Sequence, residues 1–195
     1  MGNNTKQRVA GGISHLLSPA GVAMLALLLI SGGRSEDMWV LLGLCLYVVV
    51  PLLVLLLLLW HQRCTGDTSD VYDPTPVRRQ AMLNLGVVTY ALCLVVLSVL
   101  EAPPLYCWAG ATFLGGAAAV WGINRFWKIS IHATGAGGAA ALVTLAEASG
   151  WPLALGLPVV VGWARWEREA HTGAQLVAGT LLGALVAWVC REIVL

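Results

Sequence analysis

Two histidines flanked by basic residues are the side chains of this sequence best suited to chemistry. His132 follows Lys128 and Ser130, and His171 follows Arg165 at a distance of six residues. An imidazole that titrates near neutrality can act as a nucleophile or as a general acid, while guanidinium groups and helix N-terminal amides bind phosphate. A lone histidine more often serves only as a hydrogen-bonding group at an interface. Because both histidines occur in matching surroundings, the pattern favours a shared site for phosphoryl chemistry.

The composition restricts the kind of protein that can carry such a site. Of 195 residues, 58% are hydrophobic and only 11% are charged, and the mean hydropathy is +0.80. These values exclude a soluble cytosolic enzyme and a disordered chain. With 11 basic and 10 acidic residues, the net charge of +1 provides no electrostatic footprint for nucleic acid. The remaining class is an integral membrane protein with no nucleic-acid partner.

The elements that must position the histidines are apolar segments spread along the whole chain. A membrane-crossing helix needs about 20 apolar residues, and shorter segments can be accommodated among neighbouring helices. Candidate segments occupy residues 19–31, 38–60, 81–100, 104–123, 133–148, 151–164 and 173–190. The sequence therefore predicts an all-α, polytopic transmembrane helical bundle with six to seven spans. Residues 1–195 are expected to form a single integral membrane domain.

The connections between these segments predict the topology. Residues 101–104 and 149–150 are short and contain proline or glycine, so the segments they join should form antiparallel hairpins. If seven helices cross, the N-terminus and the connections 61–80, 124–132 and 165–171 lie on one membrane face. That face holds nine of the 11 basic residues, namely Lys6, Arg8, Arg63, Arg78, Arg79, Arg125, Lys128, Arg165 and Arg168. The positive-inside rule then places the N-terminus and the histidine site on the cytoplasmic side.

The small residues in the last segments indicate close helix packing. Gly179 and Gly183 are spaced as in a G-x-x-x-G motif, which lets two helix backbones approach each other. This spacing leaves open whether the two helices belong to one chain or to two copies of a homo-oligomer.

The residues around the histidines resemble the motifs of the type 2 phosphatidic acid phosphatases. The third motif of that family, S-R-x5-H-x3-D, is similar to Arg165-x5-His171-x3-Gln175, with Ala164 in the serine place and Gln175 in the aspartate place. The second motif, P-S-G-H, is similar to the segment that ends in Ser130-Ile131-His132. The arginine of the first motif, K-x6-R-P, corresponds to Arg78 or Arg79, although valine or tyrosine precedes these by seven residues and no proline follows. The similarity covers roughly residues 70–185, within a family-like core of about residues 62–190.

The resemblance implies a metal-independent phosphatase that uses no cofactor. His171 would attack phosphorus, and His132 would protonate the leaving oxygen. Further residues would bind the phosphoryl oxygens, namely Arg165, Arg78 or Arg79, Ser130 and Lys128. Gln175 would orient the nucleophilic imidazole. The implied substrate is a membrane lipid phosphate or a prenyl diphosphate.

Two other functional classes follow from the same residues. Gln175 and the absent first-motif lysine favour, as the alternative, a non-catalytic structural or assembly subunit that keeps the family fold. A channel or transporter is disfavoured, because no predicted span carries the buried charge of an ion or proton pathway.

Overall fold

A computed structural model of the chain describes residues 2–32, 38–64, 76–146 and 151–195, and within these ranges the chain forms eight helices and no strand. The helix α3 consists of Met38–Leu44, a π-helical segment Cys45–Val49 and Val50–Cys64. The other helices are α1 (Gly2–Leu16), α2 (Pro19–Ile30), α4 (Pro76–Val99), α5 (Pro104–Ile123), α6 (Ile131–Leu145), α7 (Trp151–Glu167) and α8 (Gly173–Val194). The predicted all-α class is confirmed for the described part of the chain.

Among the described helices, three are long and apolar enough to cross a membrane. They are Met38–His61, Arg78–Val99 and Gly173–Val194. The bent pair Thr5–Leu16 and Pro19–Ile30, with 57° between its helices, would make a fourth if it were one span. With 12 and 15 residues, α2 and α6 are about 18 and 22 Å long, short of the roughly 30 Å hydrocarbon core. The six to seven spans therefore remain a prediction, while three to four helices could cross.

The helix boundaries follow from local sequence. Ser18 caps α2, since its hydroxyl accepts a hydrogen bond from the backbone N–H of Gly21 at 3.4 Å, and Pro19 occupies the first helical position. The predicted hairpin between α4 and α5 is confirmed, because the two helices pack together across the connection 100–103. The predicted polar connection 61–80 was too long: α3 continues through Cys64 and α4 already begins at Pro76. Residues 65–75 lie outside the described ranges.

Glycines bring α6 and α8 into close contact. A Cβ atom added to Gly183 would collide with the carbonyl oxygen of Thr134, and one added to Gly137 would collide with the backbone of Thr180. The small residues therefore let the two backbones touch without intervening side chains. The Gly179-x-x-x-Gly183 stripe packs within this chain against α6.

Two further contacts surround this pair. On one side α5 packs against α8, where Trp108 donates a hydrogen bond from its indole N–H to the carbonyl of Ala187 at 2.8 Å. On the other side α7 packs against α6, as the second predicted hairpin requires. The N-terminal pair covers these helices, with α1 against α7 and α2 against α6. The junction between α1 and α2 consequently lies near the N-terminal end of α6.

The contact at Gly183 predicts the effect of a single methyl group. We expect Gly183→Ala to destabilise the chain by about 1–3 kcal/mol, because the added Cβ overlaps the Thr134 carbonyl. In a thermal unfolding experiment in detergent, this corresponds to a Tm decrease of about 2–4 °C per kcal/mol. Gly156→Ala is the matched control, since a Cβ there meets no atom within 4 Å. Equal Tm values for the two variants would contradict close packing of α6 on α8.

Candidate functional site

A cavity of about 530 Å³ opens where several helix ends meet. Five residues that the sequence singled out line it, namely Arg79, Lys128, His132, Arg165 and His171. They come from the first turn of α4, the α5–α6 connection, the start of α6, the last turn of α7 and the α7–α8 connection. Packing of the bundle thus brings together residues that lie as much as 92 positions apart in the chain. We call this region the basic end of the cavity.

His132 is positioned by the cap of α6. The Ser130 hydroxyl accepts a hydrogen bond from the backbone N–H of Ala133 at 3.3 Å, so Ser130 is the N-cap and is fully buried. Ser130 is absent from the cavity wall. The structure therefore places it as the residue that starts the helix carrying His132, rather than at the cavity surface where phosphate would bind.

The imidazole of His132 reaches from α6 to the N-terminal helix. It forms a hydrogen bond with the backbone of Ser14 in α1, while its Nε2 atom is buried and has no hydrogen-bond partner among the described residues. Burial, together with the positive charge of Arg165, lowers the pKa of His132 to about 3. The ring is therefore neutral at pH 7, with one nitrogen held by α1.

The tautomer of His171 follows from its contact with Gln175. The side-chain oxygen of Gln175 accepts a hydrogen bond from the backbone N–H of Thr172 at 3.0 Å, which identifies that atom as the carbonyl oxygen. The same oxygen lies 3.3 Å from Nδ1 of His171. Because a carbonyl oxygen only accepts, Nδ1 must carry the proton. The lone pair is then on Nε2.

Gln175 acts at once as a helix cap and as the partner of His171. Its backbone N–H donates to the Thr172 hydroxyl at 3.4 Å, completing a capping box at the start of α8. Gln175 does not line the cavity. The orienting role predicted for it agrees with this geometry, but the contact supplies no negative charge.

The electrostatic surroundings of His171 are positive. Burial and the charges of Arg165 and Lys128 lower its pKa to about 4, whereas the hydrogen bond with Gln175 acts in the opposite direction. Arg165 itself is only 3% exposed. Burial, with the guanidinium of Arg165 beside them, keeps both imidazoles neutral and leaves a net positive cavity end.

The structure distinguishes between the two arginines at the start of α4. Arg79 lines the cavity, whereas Arg78 is buried and is not among the residues that line it. Arg79 is therefore the better candidate for the phosphate-binding arginine.

Residues of the α1–α2 junction belong to this site, although no motif in the sequence indicated it. His15 and Ser18 line the cavity beside His132. Asn124, at the end of α5, also lines the cavity. Only the packing of α1 on α7 and of α2 on α6 brings His15 here, and a single sequence contains no signal of that contact.

The remaining cavity wall is mostly apolar, with Thr89, Thr112 and Thr134 among its residues. The helices α3, α4 and α5 contribute Leu52, Leu55, Leu58, Met82, Leu83, Gly86, Tyr90, Phe113, Ala117 and Val120. The cavity is therefore amphipathic, with cationic and imidazole groups at one end and hydrocarbon along its length. A molecule that fits it would have an anionic group attached to an apolar chain.

Comparisons with known proteins do not assign this site. No family model, curated protein or solved structure matches the chain. Across the described ranges, no group of three or more His, Cys, Asp or Glu side chains lies close enough to hold a metal ion. The residues that line the cavity therefore supply the functional argument.

The contact between Gln175 and His171 predicts a titration experiment. We expect Gln175→Glu to raise the pKa of His171 from about 4 towards its ordinary value, because a carboxylate stabilises the imidazolium. Histidine-selective NMR of the labelled chain in detergent measures the shift. Gln7→Glu is a control that adds the same charge at an exposed position of α1. An unchanged His171 pKa in Gln175→Glu would mean that the two side chains do not interact.

Proposed function

We propose that this protein is a membrane-embedded, metal-independent phosphatase that hydrolyses a lipid phosphate or a prenyl diphosphate. One observation carries the proposal: His132, His171, Arg165, Arg79 and Lys128 line one cavity whose other walls are mostly apolar. The resemblance to the second and third motifs of the type 2 phosphatidic acid phosphatases gives independent support, since it selects the same two histidines.

The reaction would proceed by two displacements at His171. The Nε2 lone pair attacks phosphorus, forming a P–N bond while the bond from phosphorus to the lipid oxygen breaks. A protonated His132 transfers its proton to that oxygen, and the lipid alcohol leaves; with a prenyl diphosphate the oxygen is the bridging one and the leaving group is the prenyl monophosphate. Water then attacks the phosphohistidine and gives its proton to His132, which releases inorganic phosphate and restores the imidazole. The charges of Arg165, Arg79 and Lys128 stabilise the phosphoryl oxygens in both steps.

The protonation of His132 would depend on the substrate. In the free protein the ring is neutral, because burial and Arg165 hold its pKa at about 3. A phosphate dianion in the cavity adds negative charge close to the ring and so raises its pKa. We therefore infer that the substrate enters together with a proton. This coupling would activate the general acid only when a phosphoryl group is bound.

The orientation of the site belongs to the same proposal. Nine of the 11 basic residues fall on one predicted face, and three of those nine line the cavity. The positive-inside rule favours a cytoplasmic opening and a cytoplasmic N-terminus. An amphipathic substrate in the inner leaflet could then enter with its phosphate at the basic end of the cavity.

Phosphate release tests the catalytic proposal directly. The purified full chain in EDTA should release phosphate from a lipid phosphate or prenyl diphosphate, and orthovanadate should inhibit it. His171→Ala should lower kcat by at least about 10³-fold, because the nucleophile is removed. His61→Ala, at an exposed position of α3, should retain the wild-type rate. If His171→Ala releases phosphate at the wild-type rate, His171 is not the nucleophile and the proposed mechanism is wrong. If no lipid phosphate is turned over at all, the non-catalytic alternative is favoured.

Anion binding should be coupled to proton uptake. Sulfate remains a dianion across the neutral range, so any proton taken up on binding goes to the protein. We expect titration calorimetry in buffers of different ionisation enthalpy to show uptake that increases from pH 8 to pH 6, since the His132 pKa rises from about 3 towards that range. His132→Asn should abolish most of it, and His61→Asn should not. Sulfate binding without proton uptake at pH 6 would contradict the coupling.

A further inference from the structure

One face of α4 forms a continuous strip along the cavity. Arg79, Leu83, Gly86 and Tyr90 are spaced by three or four residues, which places them on the same side of the helix, and all four line the cavity. The strip changes from a cation at the helix start to an aromatic ring 11 residues later. At 1.5 Å per residue, the distance along the helix from Arg79 to Tyr90 is about 16 Å.

The neighbouring helix α5 repeats this arrangement in the opposite direction. Asn124, Val120, Ala117 and Phe113 line the cavity and share one helix face. Asn124 lies at the basic end, and Phe113 precedes it by 11 residues, again about 16 Å along the axis. On both antiparallel helices, the axial distance from the basic end of the cavity to the aromatic residue is therefore the same. Leu58, Leu55 and Leu52 of α3 supply a third apolar wall. We call this apolar part of the cavity the shaft.

Aromatic side chains close the inner end of the shaft. The ring centroids of Tyr90 and Phe113 are 6.3 Å apart. Tyr47 packs behind both, with centroid distances of 6.2 Å to Tyr90 and 5.4 Å to Phe113. Tyr47 is completely buried in the π-helical segment of α3. The floor is therefore a packed cluster of three rings, which limits how far an apolar chain can extend.

We propose that the shaft holds one apolar chain of the substrate and that its aromatic floor sets the length of chain the protein accepts. This inference rests on the proposed function, because it assumes that a phosphoryl group occupies the basic end. An extended chain advances about 1.2 Å per backbone bond, so the depth of about 16 Å from Arg79 to Tyr90 corresponds to about a dozen carbons.

Gly86 offers a way to shorten the shaft. It lines the cavity about halfway along α4, and a Cβ added there meets no atom within 4 Å. A leucine at this position can therefore project into the shaft without disturbing the helix packing. Gly122 in α5 is equally open to a Cβ but does not line the cavity. Gly122→Leu is accordingly the matched control for Gly86→Leu.

The experiment compares chain lengths in the purified full chain. Phosphate release is measured for hexyl, dodecyl and octadecyl phosphate, and we expect the highest kcat/KM with dodecyl phosphate. Gly86→Leu should lower kcat/KM for dodecyl phosphate by at least about tenfold, as expected when two or more methylenes lose their apolar contacts at about 0.8 kcal/mol each. Hexyl phosphate, which ends above Gly86, should change by less than about twofold. Gly122→Leu should leave both values unchanged.

A second variant acts at the floor. Phe113→Ala should open the inner end and raise kcat/KM for octadecyl relative to dodecyl phosphate. This variant keeps the test decisive if Gly86→Leu does not fold. Identical chain-length profiles for wild type and the shaft variants would overturn the proposal, as would a diacyl lipid phosphate whose turnover exceeds that of dodecyl phosphate and is insensitive to Gly86→Leu.

Binding of non-hydrolysable alkylphosphonates separates this proposal from the catalytic one. If wild type turns over none of the phosphates but binds dodecylphosphonate at least about tenfold more tightly than Gly86→Leu does, the shaft proposal is supported and the phosphatase proposal fails. If turnover occurs and neither turnover nor phosphonate affinity depends on Gly86, the shaft proposal fails and the phosphatase proposal is retained. If both readouts are absent, both proposals fail.

Discussion

The close contact between α6 and α8 is the constraint on which the candidate site depends. His132 lies in the first turn of α6, and His171 directly precedes the cap of α8, so the separation of these helices sets the separation of the imidazoles. Gly179 lies against the start of α6, where an added Cβ would be 2.9 Å from the Ser130 carbonyl oxygen. Glycine at this position lets both helix starts reach one cavity. The glycines that make the bundle compact therefore also assemble the two imidazoles.

The second constraint is the accumulation of positive charge in a low-dielectric place. Arg165 is buried, Arg79 and Lys128 are half-buried, and no carboxylate of the described residues lines the cavity. This arrangement explains why both imidazoles are neutral, since a second cation beside Arg165 is unfavourable. It also gives a reason for glutamine beside His171: a neutral acceptor fixes the tautomer and leaves the positive field available to an anion. The rest of the cavity, being hydrocarbon, selects anions that carry an apolar chain.

The N-terminal helices have a larger part in the site than their hydropathy suggests. They cover the bundle from outside, but the Ser14 backbone bonds to the ring of His132, and His15 and Ser18 line the cavity. Arg168 lies close to Gly11 of α1, where an added Cβ would be 3.4 Å from a guanidinium nitrogen. Helix α1 thus contacts the C-terminal end of α7, which carries Arg165. Removing α1 would expose His132 and take away the partner of one of its ring nitrogens.

The sequence by itself determined the helical class, most helix starts and the choice of the two histidines as candidates, because these depend on local properties: apolar composition, prolines and glycines at the segment ends, and the spacing from Arg165 to His171. It did not determine that Arg79 rather than Arg78 faces the cavity, that His15 belongs to the site, or how deep the apolar shaft is. Those features depend on the rotation and approach of whole helices, which are set by contacts between distant residues such as Gly183 and Thr134. Local hydropathy also could not decide the number of spans. Short helices such as α2 and α6 pack against other helices, and this packing by itself accounts for their apolar composition. Only tertiary packing brings basic residues that are distant in the chain to the wall of one cavity.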